Sequence, residues 1–244
     1  MIFYFTGTGN SLYAAKKLAK KGERLIDMAA ALKSGETTYI VPTGETVGFV
    51  FPVYCFTVND VVYDFAGSLD LIGAEYVYAV VTCGGDPLNA GGVLKNRLAE
   101  RGIVLSRSFK LMMPDNSMLF YDIHPEKAPE ILRKADKKLN VIRYLVSHRK
   151  ERRVSGGCME KPFRAVYHLV CSTKGFHAED SCIGCGLCAR VCPAGAIEMR
   201  GGRPEWVKDK CVKCSACICR CPQQAVQFGK RTKGRNRYVN PVLK

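Results

Sequence analysis

Eight of the thirteen cysteines in this 244-residue chain fall between positions 182 and 221, and they fall there twice in the same spacing. Cys182, Cys185, Cys188 and Cys192, followed by Pro193, recur 29 residues later as Cys211, Cys214, Cys217 and Cys221, followed by Pro222. The likeness runs past the cysteines, because Ala196-Ile197 corresponds to Ala225-Val226 at the same offset. A duplicated supersecondary unit is the simplest source of such a period. Between the copies, Gly201-Gly202 separates segments 196–199 and 204–207, which predicts a small hairpin. The opening MIFYFTGTGN has no basic n-region and its apolar run is short, so neither an export signal nor an anchor is expected. Without export, the cysteines read as reduced thiols available to metal rather than as a disulfide framework.

Three thiolates spaced by two residues in one tight loop can hold three corners of a 4Fe-4S cubane, and Gly184, Gly186, Ser215 and Ala216 are small enough for the backbone to wrap closely. In this spacing the fourth cysteine of each run ligates the other cluster. One cluster is therefore expected on Cys182, Cys185, Cys188 and Cys221, and the second on Cys211, Cys214, Cys217 and Cys192. Pro193 and Pro222 are expected to open helices, where a missing N–H is harmless. Structural zinc needs only two C-x2-C pairs, which leaves the third cysteine of each triplet and the C-x3-C-P endings unexplained. Cys219 aligns with Arg190 and is expected to be a packing thiol. Residues 178–229 resemble the bacterial two-cluster ferredoxins, with all eight ligand positions and both prolines in place. That resemblance implies a small α+β domain.

The first 150 residues alternate β-branched and aromatic runs with helical patterns, the mark of a parallel sheet covered on both faces. Strands are expected near 1–5, 24–27, 46–53, 76–82 and 103–110, and helices near 11–20, 59–70, 88–101 and 125–150. Five such strands most often wind in the order 2-1-3-4-5. The expected layout is an α/β doubly wound domain over 1–150, a basic linker over 151–177 with room for a short helix, the cysteine domain over 178–229, and a basic tail over 230–244.

After the first strand comes Thr6-Gly7-Thr8-Gly9-Asn10-Ser11, leading into a helical pattern. Hydroxyls, an amide and two glycines at a helix start can surround a phosphate without a lysine or arginine. The G-x-G-x-x-G spacing of dinucleotide folds and the Gly-Lys-Ser/Thr of NTPases are both absent. The loop resembles the FMN phosphate loop of flavodoxins, Ser/Thr-x-Thr-Gly-Asn-Ser/Thr, at every position. The resemblance implies a flavodoxin-like fold with FMN at the carboxyl ends of the strands and its ring between loops 51–57 and 82–87. Pro52, Tyr54, Thr82, Cys83, Gly84, Gly85 and Asp86 are then candidate contacts, with Tyr54 or Phe56 as the stacking aromatic and Asn116 reaching from the segment after the fifth strand. Cys55 and Cys83 fall on the two ring loops and form a candidate thiol pair.

The formal charge of +15 resolves into two segments. Residues 133–174 hold 12 Lys/Arg against 3 Asp/Glu, and residues 230–244 hold 6 against none. No nucleic-acid recognition motif accompanies them. Their functional reading is a docking surface on the linker and tail for an acidic redox partner of ferredoxin or flavodoxin type. The four histidines stand in no ligand spacing. No run of 18 apolar residues occurs, so no membrane span and a cytoplasmic location are expected. The two resemblances together imply an electron-transfer protein relaying electrons between an external low-potential carrier, two 4Fe-4S clusters and FMN. The alternative is a ferredoxin-dependent flavoenzyme that reduces a small molecule at FMN.

Overall fold

The computed structural model describes residues 1–243. Seven strands form in the N-terminal part: β1 (Ile2–Tyr4), β2 (Leu25–Asp27), β3 (Thr38–Ile40), β4 (Thr46–Pro52), β5 (Asp70–Ile72), β6 (Tyr76–Cys83) and β7 (Arg107–Met112). Five of them make one parallel sheet in the order β2-β1-β4-β6-β7. β3 and β5 pair only with each other, as a separate parallel ribbon that the sequence pattern did not announce. The central strands β4 and β6 are buried almost throughout, which is why they read as continuous apolar runs rather than as alternation.

The helices α1 (Asn10–Leu18), α2 (Met28–Ser34), α3 (Asp60–Ser68), α4 (Ala90–Ala99) and α5 (Ala128–Ser147) cover the sheet. On one face Phe3 and Phe49 pack with Phe65 and Tyr39, ring centroids about 5 Å apart, under α2, α3 and α4. On the other, Val80 and Leu111 meet Ala14, Ala15 and Leu18 of α1 and Leu139, Ile142 and Val146 of α5.

Several boundaries differ from expectation. The fifth sheet strand begins at Arg107 instead of 103, since Ile103 and Leu105 are buried ahead of the point where the ladder to Tyr78 starts. The helix expected over 59–70 stops at Ser68, because Asp70-Leu71-Ile72 is drawn into pairing with β3. α2 was not anticipated, although its caps are visible in the sequence: the Asp27 carboxylate accepts from the Ala29 and Ala30 amides, and Gly35 ends it at φ 73°.

The segment 151–177 carries a full helix, α6 (Glu160–Val170), packed against α3 and α4. Tyr167 is completely buried and its hydroxyl accepts from the Asp60 amide at 3.3 Å. Arg164 bonds Asp60 at 2.9 Å and lies 3.6 Å from the centroid of the Tyr63 ring. Gly156-Gly157 runs so close to Gly92 that a Cβ there would collide with the segment's main chain. A Tyr167→Ala variant is accordingly expected to lose about 3–5 kcal/mol of stability, the usual cost of emptying a buried aromatic site, read as a lowered denaturant midpoint.

The cysteine region folds as β8 (Phe176–Ala178), α7 (Leu187–Arg190), β9 (Ile197–Arg200), β10 (Arg203–Trp206), α8 (Ala216–Cys219) and β11 (Val226–Phe228). α7 and α8 occupy matching positions in the two copies. The hairpin β9–β10 turns on Gly201 and Gly202, φ 53° and 76°, the two left-handed residues that a tight hairpin needs. β8 and β11 pair antiparallel and close the unit. Pro193 and Pro222 do not open helices. Each follows its four-residue helix and sits second in a reverse turn, closed by Gly195 N to Cys192 O and Gln224 N to Cys221 O, both 3.1 Å. Proline's fixed φ suits that position as well as it suits a helix start. Val212, Cys214 and Ala216 of the second copy join the sheet's own core, so the cysteine region is packed against the α/β layer. Among the described residues no helix is long and apolar enough to cross a membrane.

Candidate functional site

The loop 6–11 leaves β1 and enters α1 through Gly9, whose φ of 100° only glycine adopts freely. The Thr6 hydroxyl accepts from the Gly9 amide at 3.0 Å. Among the described residues no protein oxygen accepts from the amides of Thr8, Asn10, Ser11 or Leu12, and α1 has no side-chain cap. Four donors at a helix start are thus left for an anion.

The side chains of the loop are spent differently from what the sequence implied. Ser11 bonds Thr82 at 2.8 Å, and Thr82 donates to the Phe51 carbonyl, which ties the loop to β6 and β4. Thr8 accepts from Asn116 at 2.9 Å, and Asn10 donates to the Pro114 carbonyl at 2.8 Å. A cleft is lined by residues 6–8, 10 and 11, by Pro52 and Tyr54, by residues 82–84 and by Asn116. Gly85 and Asp86 line an adjoining, more apolar cleft that shares Val53, Gly84, Asp115 and Ser117 with the first and adds Cys55, Phe56, Phe120, Tyr121 and Val166. Gly9 lies on neither and is covered by the tail. A Cβ there would come within 2.9 Å of Asn240 and 3.0 Å of Leu243.

The tail contacts were invisible in the sequence. Asn240 donates its main-chain amide to Thr8 O at 2.8 Å and its side-chain amide to Asn10 at 3.2 Å, and the Tyr238 hydroxyl reaches Asn10 at 3.1 Å. Arg235 and Arg237 hold the carbonyls of Met118, Gln224 and Val226, so these two cations of the tail work inside the structure. The tail residue Lys244 lies outside the described residues.

Tyr54 does not project as a ring-stacking residue. It is 9% exposed and packs edge-on to Phe5 at 6.4 Å. Burial, and then the charge of Cys214, push its pKa well up; Asn116 is near but gives its amide to Thr8, which leaves the Tyr54 hydroxyl without a partner on the cavity wall. The exposed aromatic is instead Phe56, pushed outward by a turn in which Cys55 and Phe56 both have left-handed φ, 47° and 65°. At Gly84 a Cβ would approach the Asp115 carboxyl to 2.9 Å, so only glycine leaves that floor open. Asp86 accepts from the Leu88 amide, which lowers its pKa, and pairs with Lys110; it serves its turn.

Cys55 and Cys83 are both free thiols. Burial pushes the Cys83 thiol up to about 11, and it donates to the Gly85 carbonyl at 3.2 Å. Cys55 keeps different company, Lys213 and Cys171.

The eight repeat cysteines fall into two groups. One pocket is lined by Cys182, Cys185, Cys188 and Cys221, the fourth coming from the other copy. Burial raises the Cys188 thiol first, then the charges of Cys182, Cys221 and Cys185. Cys214 and Cys217 are raised by burial and then chiefly by each other's neighbourhood, Cys211 and Cys192. The Ala196 and Ala225 amides donate to Cys192 and Cys221, both at 3.3 Å, at matching places in the repeat. Among the described residues no three His, Cys, Asp or Glu converge on a single-ion site. Cys219 packs in the core beside Ile218 and Phe176. The first group reaches the surface, where Cys185 is exposed and Ile183 is 64% exposed. The second is inside: Cys214 is 6% exposed, and its carbonyl sits where a Cβ of Gly7 would be.

Residues 177–198, which contain the first cysteine run, match the 4Fe-4S binding domain family. No curated protein matches the chain. Among solved structures, an azoreductase from Bacillus anthracis str. Sterne aligns over 58% of this chain and 97% of its own, at 11% identity and a TM-score of 0.35. The chain therefore joins a segment similar to the 4Fe-4S binding domain family to a five-stranded parallel α/β sheet whose strand order, β2-β1-β4-β6-β7, is the doubly wound 2-1-3-4-5 order.

Proposed function

We propose that this chain is an electron-transfer protein that holds two 4Fe-4S clusters and one FMN and passes electrons between an external low-potential carrier and the flavin. The observation that carries the reading is the contact of Gly7 with Cys214, which puts the phosphate loop against the loop of the inner thiol quartet. Cys182, Cys185, Cys188 and Cys221 hold the outer cluster, and Cys211, Cys214, Cys217 and Cys192 the inner one. The Ala196 and Ala225 amides stabilise the ligand sulfurs in their ionised form. The amides of Thr8, Asn10, Ser11 and Leu12 bind the phosphate of FMN, while Thr6, Gly7 and Asn10 shape the loop around it and Ser11 and Thr82 anchor it. Pro52, Tyr54, Cys83, Gly84, Gly85, Asp86 and Asn116 border the remainder of the cofactor, with the orphan Tyr54 hydroxyl as a donor to it. When bound, clusters exchange single electrons and FMN one or two, so the set joins one-electron to two-electron chemistry.

Asn240→Ala removes a bond to the phosphate loop, and its loss is expected to weaken FMN retention about tenfold, the value of roughly 1.4 kcal/mol, with iron content unchanged. Flavin fluorescence on dilution reads this. The carrier is acidic and meets the exposed cations Arg133, Lys137, Lys138, Arg152 and Arg153, which make no ion pair among the described residues. Reduction by such a carrier then slows as salt rises.

The second reading, a flavoenzyme reducing a small molecule, is favoured by the apolar cleft beside Gly85, whose mouth carries the exposed Phe56, Phe120, Tyr121 and Val166. Anaerobic reconstitution with iron, sulfide and FMN tests the main reading. About eight iron and one FMN per chain support it, and a protein that takes up iron but no FMN contradicts it.

A further inference from the structure

The two cysteine runs make the same backbone turns with different residues. Left-handed φ recurs at three matched pairs: Gly184 (67°) and Lys213 (53°), Gly186 (69°) and Ser215 (59°), Gly195 (56°) and Gln224 (50°). The first copy meets this demand with glycine each time, and the second places side chains in a region that L-residues enter at a cost. Of the three, only Lys213 also buries a charge. It is 6% exposed, whereas Ser215 is neutral and Gln224 lies at the surface.

The Lys213 ammonium donates to the Ser172 carbonyl at 2.8 Å and lies 3.9 Å from the centroid of the Phe228 ring and 5.0 Å from that of Phe176. The Lys213 main-chain amide donates to the Cys211 sulfur at 3.3 Å and Cys214 follows it directly, so the residue is built into the loop of the inner quartet. Burial lowers the ammonium's pKa, while the charges of Cys211, Cys171, Cys217 and Cys55, two of them in the inner quartet, hold it up. At the matching place in the first copy a Cβ would approach Gly202 O to 2.7 Å, so no side chain fits there. Two further half-buried cations lie nearby: Arg237 has Cys219, Cys221 and Cys217 around it, the last two one from each quartet, and so does not distinguish them, while Arg220 stands near Cys214 and adds to the positive charge on the inner side.

We propose that Lys213 is a fixed positive charge beside the inner cluster alone and raises its reduction potential above that of the outer cluster. The inference rests on the two-cluster reading above. Reduction adds one negative charge to an already anionic cluster, and an ammonium held in a low-dielectric site favours the reduced form. One electron then passes from the reduced outer cluster to the oxidised inner one, with no bond made or broken, and comes to rest beside the phosphate loop.

Lys213→Gly tests this, because it installs the residue that the first copy uses, relieves the left-handed strain and removes the charge. The reconstituted variant is expected to keep about eight iron. In a redox titration followed by electron paramagnetic resonance, its ratio of reduced inner to reduced outer cluster falls about tenfold at a fixed potential, which is about 59 mV for one electron. Lys213→Arg, which keeps the charge, holds the ratio near that of the natural protein. Full iron with unchanged potentials in Lys213→Gly overturns the inference and leaves the two-cluster reading standing. Loss of half the iron in Lys213→Gly also overturns it, since the lysine is then structural. A natural protein that binds only about four iron ends both readings.

Discussion

Replacing Gly7 by alanine is expected to strip the protein of flavin and loosen its inner cluster together. The added Cβ collides with the Cys214 carbonyl and comes within 3.0 Å of the Cys214 Cβ. Neither neighbour is a flexible side-chain end. Relief needs a main-chain shift of the phosphate loop or of the cysteine loop, and overpacking of this kind costs about 1–3 kcal/mol. FMN affinity should fall by about tenfold to a hundredfold, and iron content should drop toward half as the inner quartet is disturbed. On the proposed two-cluster reading the outer quartet, none of whose atoms is among those that a Gly7 Cβ would meet first, serves as the internal control. A Gly7→Ala protein with full flavin and full iron would mean that the two loops are not in register.

Cys221→Ser and Cys192→Ser are expected to have opposite targets from those their positions in the chain imply. Cys221 lies in the second run but lines the cavity of Cys182, Cys185 and Cys188, so its loss should remove the same spectroscopic signal as Cys185→Ser. Cys192 lies in the first run but stands among the neighbours that raise Cys211, Cys214 and Cys217, so its loss should match Cys214→Ser. Each variant should retain about four iron per chain. Paired signals along the chain rather than across it would sink the crossed assignment.

What the sequence revealed and what it hid divide along one physical line. Cysteine spacing, the 29-residue period, the Gly201-Gly202 hairpin and the loop 6–11 are local patterns, and local geometry decides them. The caps of α2 are equally local, at Asp27 and Gly35, but the seven residues between them are too few to carry a clear helical period. Contacts between distant segments were out of reach. Gly7 reads as a flexible loop glycine until Cys214 is seen against it, and Asn10 reads as a phosphate donor until Asn240, Tyr238 and Pro114 use up its side chain.

Tyr54 went astray for the same reason. An aromatic at the end of a sheet strand is placed correctly by sequence, but whether its ring faces the cleft or the core depends on what packs behind it. The basic segments look like free charge in the sequence, yet Arg164, Arg235 and Arg237 are tied to Asp60 or to main-chain carbonyls. Pro193 and Pro222 were placed at helix starts because proline's φ fits there, and that φ fits the second position of a turn equally well.

The central claim is that one chain joins two single-electron centres to a flavin, and an anaerobic reductive titration of the reconstituted protein tests it most directly. The account predicts uptake of about four reducing equivalents per chain, one for each cluster and two for FMN, with cluster and flavin absorbance changing in the same titration. Uptake ending at about two equivalents, with bleaching confined to the clusters and no flavin signal, would contradict it.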